Sequence, residues 1–153
     1  MKKLTLATAI AAATTLSMSV NAQEIDTFQI DVQVVASCEL VTNGVDFGEV
    51  DAFGDIDAVT AAAPAVLEVT CSNGASYDIL LTHDGELTHE TADPVLFTLF
   101  EDSAFTIEWN DVDFVTETGN GDMQSHDVFA QLDIDNTTEV GEYSGEVTVT
   151  VNF

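Results

Sequence analysis

Short stretches in which apolar and polar residues alternate recur along almost the whole chain, separated by glycine, asparagine, aspartate and proline. The segment AVLEVTC at 65–71 is one example. Because successive side chains of an extended chain point to opposite faces, this spacing predicts strands with one buried face. No stretch carries a sustained apolar stripe at the 3.6-residue spacing of a helix. The pattern predicts an all-β domain, a sandwich of two antiparallel sheets as in immunoglobulin-like proteins.

Further strands are predicted at 76–82, 95–102, 105–111, 126–134 and 141–153. The turn residues SNG at 72–74 predict a hairpin that joins 65–71 to 76–82, and TETGNGDMQS at 116–125 is predicted to be a loop. The last predicted strand alternates up to the end of the sequence, with one face formed by Tyr143, Val147, Val149, Val151 and Phe153.

The first 22 residues have the three parts of a secretory signal peptide. Lys2 and Lys3 precede a moderately apolar run, and Val20 and Ala22 place small residues before a cleavage site ahead of Gln23. A membrane anchor is the alternative, but the run is short and lacks a basic stop after it. We therefore expect export, with the remaining residues long enough for one domain.

Lys2 and Lys3 are the only basic Lys or Arg residues, whereas all 28 Asp and Glu lie after them. The whole chain has a net charge of −26, so removal of these two lysines leaves −28. Phosphate backbones would be repelled by such a surface, so nucleic acid is excluded as a partner. The acids are spread among apolar residues, which indicates a folded domain with an acidic surface rather than a disordered tail. A saline habitat or bound divalent cations would compensate the repulsion between these acids.

Two cysteines, Cys38 and Cys71, remain after the signal. Export places them in an oxidising compartment, which favours a disulfide. A metal site is disfavoured because the two lie far apart without a CxxC spacing, and a catalytic thiol would leave the second cysteine unexplained.

The residues that catalysis or metal binding would need are poorly represented. The three histidines occur outside any HExxH motif, and neither a GxSxG motif nor a phosphate-binding glycine loop is found. The acidic stretch at 110–122 offers oxygen ligands for Ca²⁺ but lacks the spacing of an EF-hand. We expect no enzyme activity, no cofactor and no metal site.

One strand-like segment has no obvious partner. In TFQIDVQVVASC at 27–38, the apolar side chains fall on one face of an extended chain, and no turn or complementary strand follows closely. The residues of this face are Phe28, Ile30, Val32 and Val34.

Taken in order, several motifs resemble the spore coat protein U domain family, which includes the subunits of archaic (Csu-type) chaperone-usher pili. They are the alternating N-terminal strand leading to ASCEL at Cys38, VDFGEV at 45–50, VTCSNGASYDILL at 69–81, LFTLFEDSAFTIEW at 96–109 and the terminal GEYSGEVTVTVNF. The chain departs from the family at Gly145, where Asp is common, and at 97–100, which carries Phe where Tyr is common.

The resemblance implies an immunoglobulin-like sandwich that lacks its last strand, preceded by a donor-strand extension. It implies that residues 1–22 are the signal, 23–36 the extension and 37–153 the incomplete domain. The donor residues would be Phe28, Ile30, Val32 and Val34, and the edge of the acceptor groove would be formed by Tyr143, Val147, Val149, Val151 and Phe153. The implied partners are a periplasmic chaperone, an outer-membrane usher and neighbouring subunits, joined head to tail in a surface fibre that serves adhesion and biofilm formation.

The size of the chain favours a rod or adaptor subunit over a tip adhesin, which carries an additional domain. The alternative is a stand-alone secreted sandwich, a coat protein or a ligand- or Ca²⁺-binding protein, in which residues 27–35 are simply its own first strand.

Overall fold

The computed structural model describes residues 23–53, 58–110, 112 and 114–153. The predicted signal peptide lies outside the described residues. The part from Val34 to Phe153 forms one compact unit, separate from the part that ends at Gln33. All strands found in the described residues lie in the unit from Val34 onward: β1 (Cys38–Thr42), β2 (Val59–Thr60), β3 (Ala65–Cys71), β4 (Ser76–His83), β5 (Glu86–Leu87), β6 (Val95–Phe100), β7 (Val115–Thr118), β8 (Met123–Asp133) and β9 (Val147–Asn152).

The strands form two sheets, and all paired strands are antiparallel to each other. The larger sheet has the order β1-β3-β8-β6-β5, with β2 also paired to β8, and the smaller has the order β7-β4-β9. Buried side chains from both sheets form one hydrophobic cluster. This confirms the predicted all-β sandwich. No helix among the described residues has the length and apolarity that crossing a lipid bilayer requires.

The core is built by the alternation seen in the sequence. Every second residue of β3 is buried, and the buried face of β4 consists of Tyr77, Ile79 and Leu81, which are at most 1% exposed. Burial of a large apolar side chain contributes about 1.5–3 kcal/mol, so these strands supply much of the stability. Trp109 closes the core from the segment after β6 and is 2% exposed.

The predicted hairpin between β3 and β4 is wrong, because the two strands lie in different sheets. The turn at 72–75 crosses from one sheet to the other and is held by the turn after β7: the Gly74 amide donates to the Gly119 carbonyl at 2.8 Å, and the Gly119 amide donates to Ala75 at 2.7 Å. A Cβ at Gly119 would lie 2.6 Å from the Ser72 carbonyl oxygen, so only glycine fits there. The loop predicted at 116–125 is in fact shorter, because 116–118 belong to β7 and 123–125 belong to β8.

In place of the predicted strand at 105–111, the described part of this segment forms only an isolated antiparallel bridge, between Glu108 and Phe100. The loop that leads to this bridge is built around one carboxylate. Asp102 accepts hydrogen bonds from the amides of Ala104, Thr106 and Ile107 and from the Thr106 hydroxyl, at 2.7–3.2 Å. Phe105 adopts a φ of 56°, which is uncommon for a residue other than glycine. Local bonds from an aspartate to nearby amides compete with strand formation, and here they prevail.

We expect Asp102→Asn to lower the melting temperature at neutral pH, because the amide keeps only one acceptor oxygen. These hydrogen bonds lower the pKa of Asp102, and the bond from the Ile107 amide has the largest effect. The stabilisation is therefore complete above the ordinary pKa of an aspartate and is lost as the pH falls through the lowered one. Thermal unfolding of both proteins, followed by circular dichroism, should show a difference at neutral pH that shrinks in strong acid. A difference that does not depend on pH would contradict this role.

Candidate strand-acceptor edge

Among the described residues, the strand β9 has a neighbour on one side only. It pairs with β4 so that Val147, Val149 and Val151 stand opposite His83, Leu81 and Ile79, and its other side is an edge of the smaller sheet. These three valines pack against the core but are only half-buried, whereas Leu81 and Ile79 beside them are fully buried. The inward face of β9 therefore has room for further apolar cover.

The other edge strands carry features that discourage pairing with another chain. Among the described edge strands longer than two residues, β1 carries Glu39 and β7, of four residues, carries Glu117. Charged residues and short length are common protections of sheet edges. The sequence of β9, VTVTVN, contains no charged residue, although the chain has 28 acids. Of these three edges, β9 is the one suited to accept a further strand.

A second apolar region rests on the same core after β1. Val45, Phe47, Val50 and Ala52 are half-buried and pack against the core, yet the segment forms no strand. Gly48 interrupts it with a φ of +65°, and its amide donates to the Asp46 carboxylate at 2.8 Å. This turn shifts the alternation by one residue, so that apolar side chains on both sides of Gly48 face the core. This role was not predicted from the sequence, although the alternation in VDF and VDA was visible.

Two residues predicted for the edge of the acceptor groove lie outside β9. Tyr143 is half-buried; its ring stacks on His89 with centroids 4.9 Å apart, and its hydroxyl donates to the Glu139 carbonyl at 3.0 Å. The adjacent Ser144 exchanges backbone hydrogen bonds of 2.8 and 3.0 Å with Thr88. Tyr143 therefore helps to anchor the chain just before β9. Phe153 follows β9 and is 61% exposed.

The predicted donor residues have the opposite character from the core. Phe28, Ile30, Val32 and Val34 are 82–88% exposed, and the structure assigns no strand to the described residues before Cys38. Four large apolar side chains on one face of an exposed segment are unusual in a soluble protein unless they mark an interaction site. The segment is also poor in charge, since Asp31 is its single acid between 27 and 38.

The predicted disulfide is confirmed and lies where the N-terminal segment enters the sandwich. Cys38 and Cys71 are direct partners in the pairing of β1 with β3, with a Cα–Cα distance of 4.1 Å. Ser37 is bound to Ser72, the residue that follows β3. The Ser72 amide donates to the Ser37 carbonyl at 2.9 Å, and the Ser37 amide donates to the Ser72 hydroxyl at 3.1 Å. The chain is thus held firmly at Ser37, where the N-terminal segment enters the sandwich.

The histidines lie at separate places and each packs against an aromatic ring: His83 against Phe97, His89 against Tyr143, and His126 against Tyr77. The Tyr77 hydroxyl lies 3.2 Å from Nε2 of His126, which joins the two sheets. Burial, and secondarily the charge of Glu117, raises the pKa of Tyr77, so this phenol stays protonated.

Within the described ranges, no group of three or more His, Cys, Asp or Glu side chains is placed to hold a metal ion. Asp111 and Asp113 of the acidic stretch considered for Ca²⁺ lie outside those ranges.

The fold and the sequence were compared with those of known proteins. No curated protein matches the sequence. Among solved structures, the fold is similar to a chain of the chaperone–tip adhesion subunit pre-assembly complex from the archaic chaperone-usher Csu pili of Acinetobacter baumannii, with a TM-score of 0.55 and 18% identity. The similarity covers 78% of this chain and 40% of that chain, so this chain matches less than half of that one. The model of the Spore Coat Protein U domain matches residues 24–150, a span that includes both the N-terminal segment and most of β9. The chain belongs to the Spore Coat Protein U domain family.

Proposed function

We propose that this chain is a structural subunit, rod or adaptor, of a surface pilus assembled by the chaperone-usher route through donor-strand exchange. The observation that carries the proposal is a complementary pair in one chain. It has an uncharged sheet edge with half-buried valines, and an exposed segment whose apolar residues alternate at strand spacing. Addition of an extended segment to a sheet edge satisfies both the unpaired backbone groups and the apolar side chains.

In the proposed assembly, the chain is exported with residues 1–22 as its signal and then held by a periplasmic chaperone whose strand covers β9. At the outer-membrane usher, residues 28–34 of the next subunit replace that strand beside Val147, Val149 and Val151. The added strand would also cover the apolar segment 45–52. Such contacts are heterologous and do not close on themselves, so they generate a filament. Adhesion and biofilm formation are properties of the resulting fibre.

The size of the apolar contact is consistent with a lasting association. Four buried side chains contribute about 6–12 kcal/mol in total, before the cost of ordering the segment and of lost rigid-body freedom. Each backbone hydrogen bond along β9 adds roughly 0.5–1.5 kcal/mol. The low charge of both strands also favours the association. A chain with no Lys or Arg after residue 3 has no such side chain to neutralise carboxylates that would face each other across the two strands.

The test is a chain that lacks residues 23–35, combined with a synthetic peptide of residues 26–36. We expect the truncated domain to stay folded as a monomer and to bind the peptide, with slowed hydrogen exchange at the amides of β9. A peptide with the same composition in scrambled order is the control. If residues 27–35 are instead the domain's own first strand, as in a stand-alone secreted sandwich, the truncated chain unfolds and the proposal is wrong.

A further inference from the structure

The proposed assembly fixes how closely two subunits must approach. Ser37 is held to its own domain by hydrogen bonds to Ser72, whereas Val34 would lie in the groove of the next subunit. Only Val35 and Ala36 lie between them. Three residue steps of extended chain span at most about 11 Å. The two domains must therefore touch where the segment leaves its own domain.

The end of the sandwich where the segment leaves, here called the root pole, is rigid and almost uncharged. It consists of Ser37 and the two turns 72–75 and 119–122, which are hydrogen-bonded to each other. The Gly121 amide also donates to the Cys71 carbonyl at 3.1 Å. Asp122 is the only acid in these turns, and Asn73 and Asn120 are exposed.

The opposite end, here called the far pole, is strongly acidic. It contains the connections 84–94 and 134–146, which the pairing of Val147 with His83 and of Leu96 with Asp133 brings to one end of the sandwich. An open pocket of about 440 Å³ lies here, beside the start of β9, and is lined by Thr88, His89, Glu90, Glu142 and Ser144. The two connections carry Asp84, Glu86, Glu90, Asp93, Asp135, Glu139, Glu142 and Glu146.

The direction of the added strand decides which poles meet. Every described pairing in this protein is antiparallel, and an antiparallel strand beside β9 would place Val34 near Val147. Because β9 begins at the far pole, the root pole of the donating subunit then lies against the far pole of the accepting one. A parallel strand would bring two root poles together instead.

We propose that the root pole docks on the pocket of the far pole in the next copy of this chain; the proposal rests on the proposed function. The amide groups of Asn73 and Asn120 would donate hydrogen bonds to the carboxylates of Glu90 and Glu142, and hydrogen bonds to charged acceptors are the stronger kind. A nearly uncharged pole facing an acidic one also avoids the repulsion that two far poles would suffer. Two root poles, which a parallel strand would bring together, lack the carboxylates that these amide groups would bind. The complementarity of the two poles thus favours head-to-tail order.

The absence of lysine after residue 3 allows a sharp test. An Asn73→Lys chain, mixed as a minority into fibres of the unchanged chain, is treated with a carbodiimide, which joins an amine to a carboxylate in direct contact. We expect mass spectrometry to find the introduced lysine joined to Glu90 or Glu142. Because β4 alone separates the poles by about 26 Å, at roughly 3.3 Å per residue, such a link must join two copies.

The matched control is Ser125→Lys, an exposed position near the start of β8, the central strand of the larger sheet, and opposite Glu68. It should give the link to Glu68, which shows that the reagent works, and none to the far pole. Links from position 73 only to Asp122 or Glu39, in fibres that form normally, would overturn the docking while leaving strand exchange intact. If the unchanged chain forms no fibres, the proposed function itself is wrong.

Discussion

Fibres are expected to disappear from cells that make the Ile30→Asp chain, while the domain that this chain contains stays folded. Ile30 is 82% exposed and belongs to no described strand, so its replacement removes no core contact from its own domain. In the proposed complex the new carboxylate would be buried among valines. The lost apolar burial is worth about 1.5–3 kcal/mol, and an unpaired buried charge costs several kcal/mol more. The binding constant of the strand should therefore fall by at least about a thousandfold, at roughly 1.4 kcal/mol for each factor of ten.

The matched control is Gln29→Asp, which adds the same charge to the adjacent residue on the opposite face of the segment. We expect this variant to form fibres, because its carboxylate stays in solvent. Electron microscopy of the cell surface measures the fibres, and the melting temperature of the purified domain reports its folding. Fibres of normal length from Ile30→Asp would refute the assignment of the donor face. Equal loss of fibres in both variants would show that charge, rather than the buried face, decides.

The strands with the clearest alternation could be predicted from the sequence because their burial follows the period of the chain itself. The inward faces of β3, β8 and β9 are examples. What could not be predicted is which strands pair. The residues SNG at 72–74 fit both a hairpin turn within one sheet and a turn that crosses to the other sheet, so local sequence does not distinguish the two. The outcome depends on contacts with the turn after β7, almost 50 residues away in sequence.

The candidate site was predictable to a similar extent. The alternation indicated the inward valines of β9 and the apolar face of the N-terminal segment, but pairing of β9 on one side only is a property of the sheet order. Tyr143 has the right parity for an inward position, yet the ring of His89 and the backbone of Thr88 hold this part of the chain in a different conformation. The segment 45–52 was missed because Gly48 shifts its alternation.

The disulfide is expected to make the largest single contribution to the stability of the domain. It closes a loop between residues separated by 33 positions, and in the chain-entropy model such a link stabilises the folded state by roughly 3.5–4 kcal/mol. A domain of this size is typically stable by only about 5–15 kcal/mol in total. The two cysteines also lie directly beside Ser37, so they hold the point from which the N-terminal segment leaves.

Two ways of removing the bond separate the constraint from the packing. Reduction of the unchanged chain removes only the constraint, whereas Cys38→Ala with Cys71→Ala also removes sulfur atoms from the core, where Cys71 is 1% exposed. We expect denaturant unfolding to show a loss of roughly 3.5–4 kcal/mol on reduction and a larger loss for the double variant. If the chain-entropy account holds, most of the loss arises in the unfolded state, so the reduced domain should keep the aromatic bands of the near-UV circular dichroism of the oxidised one until it unfolds. A reduced domain with unchanged stability would show that the pairing of β1 with β3, rather than the covalent bond, fixes the root of the N-terminal segment.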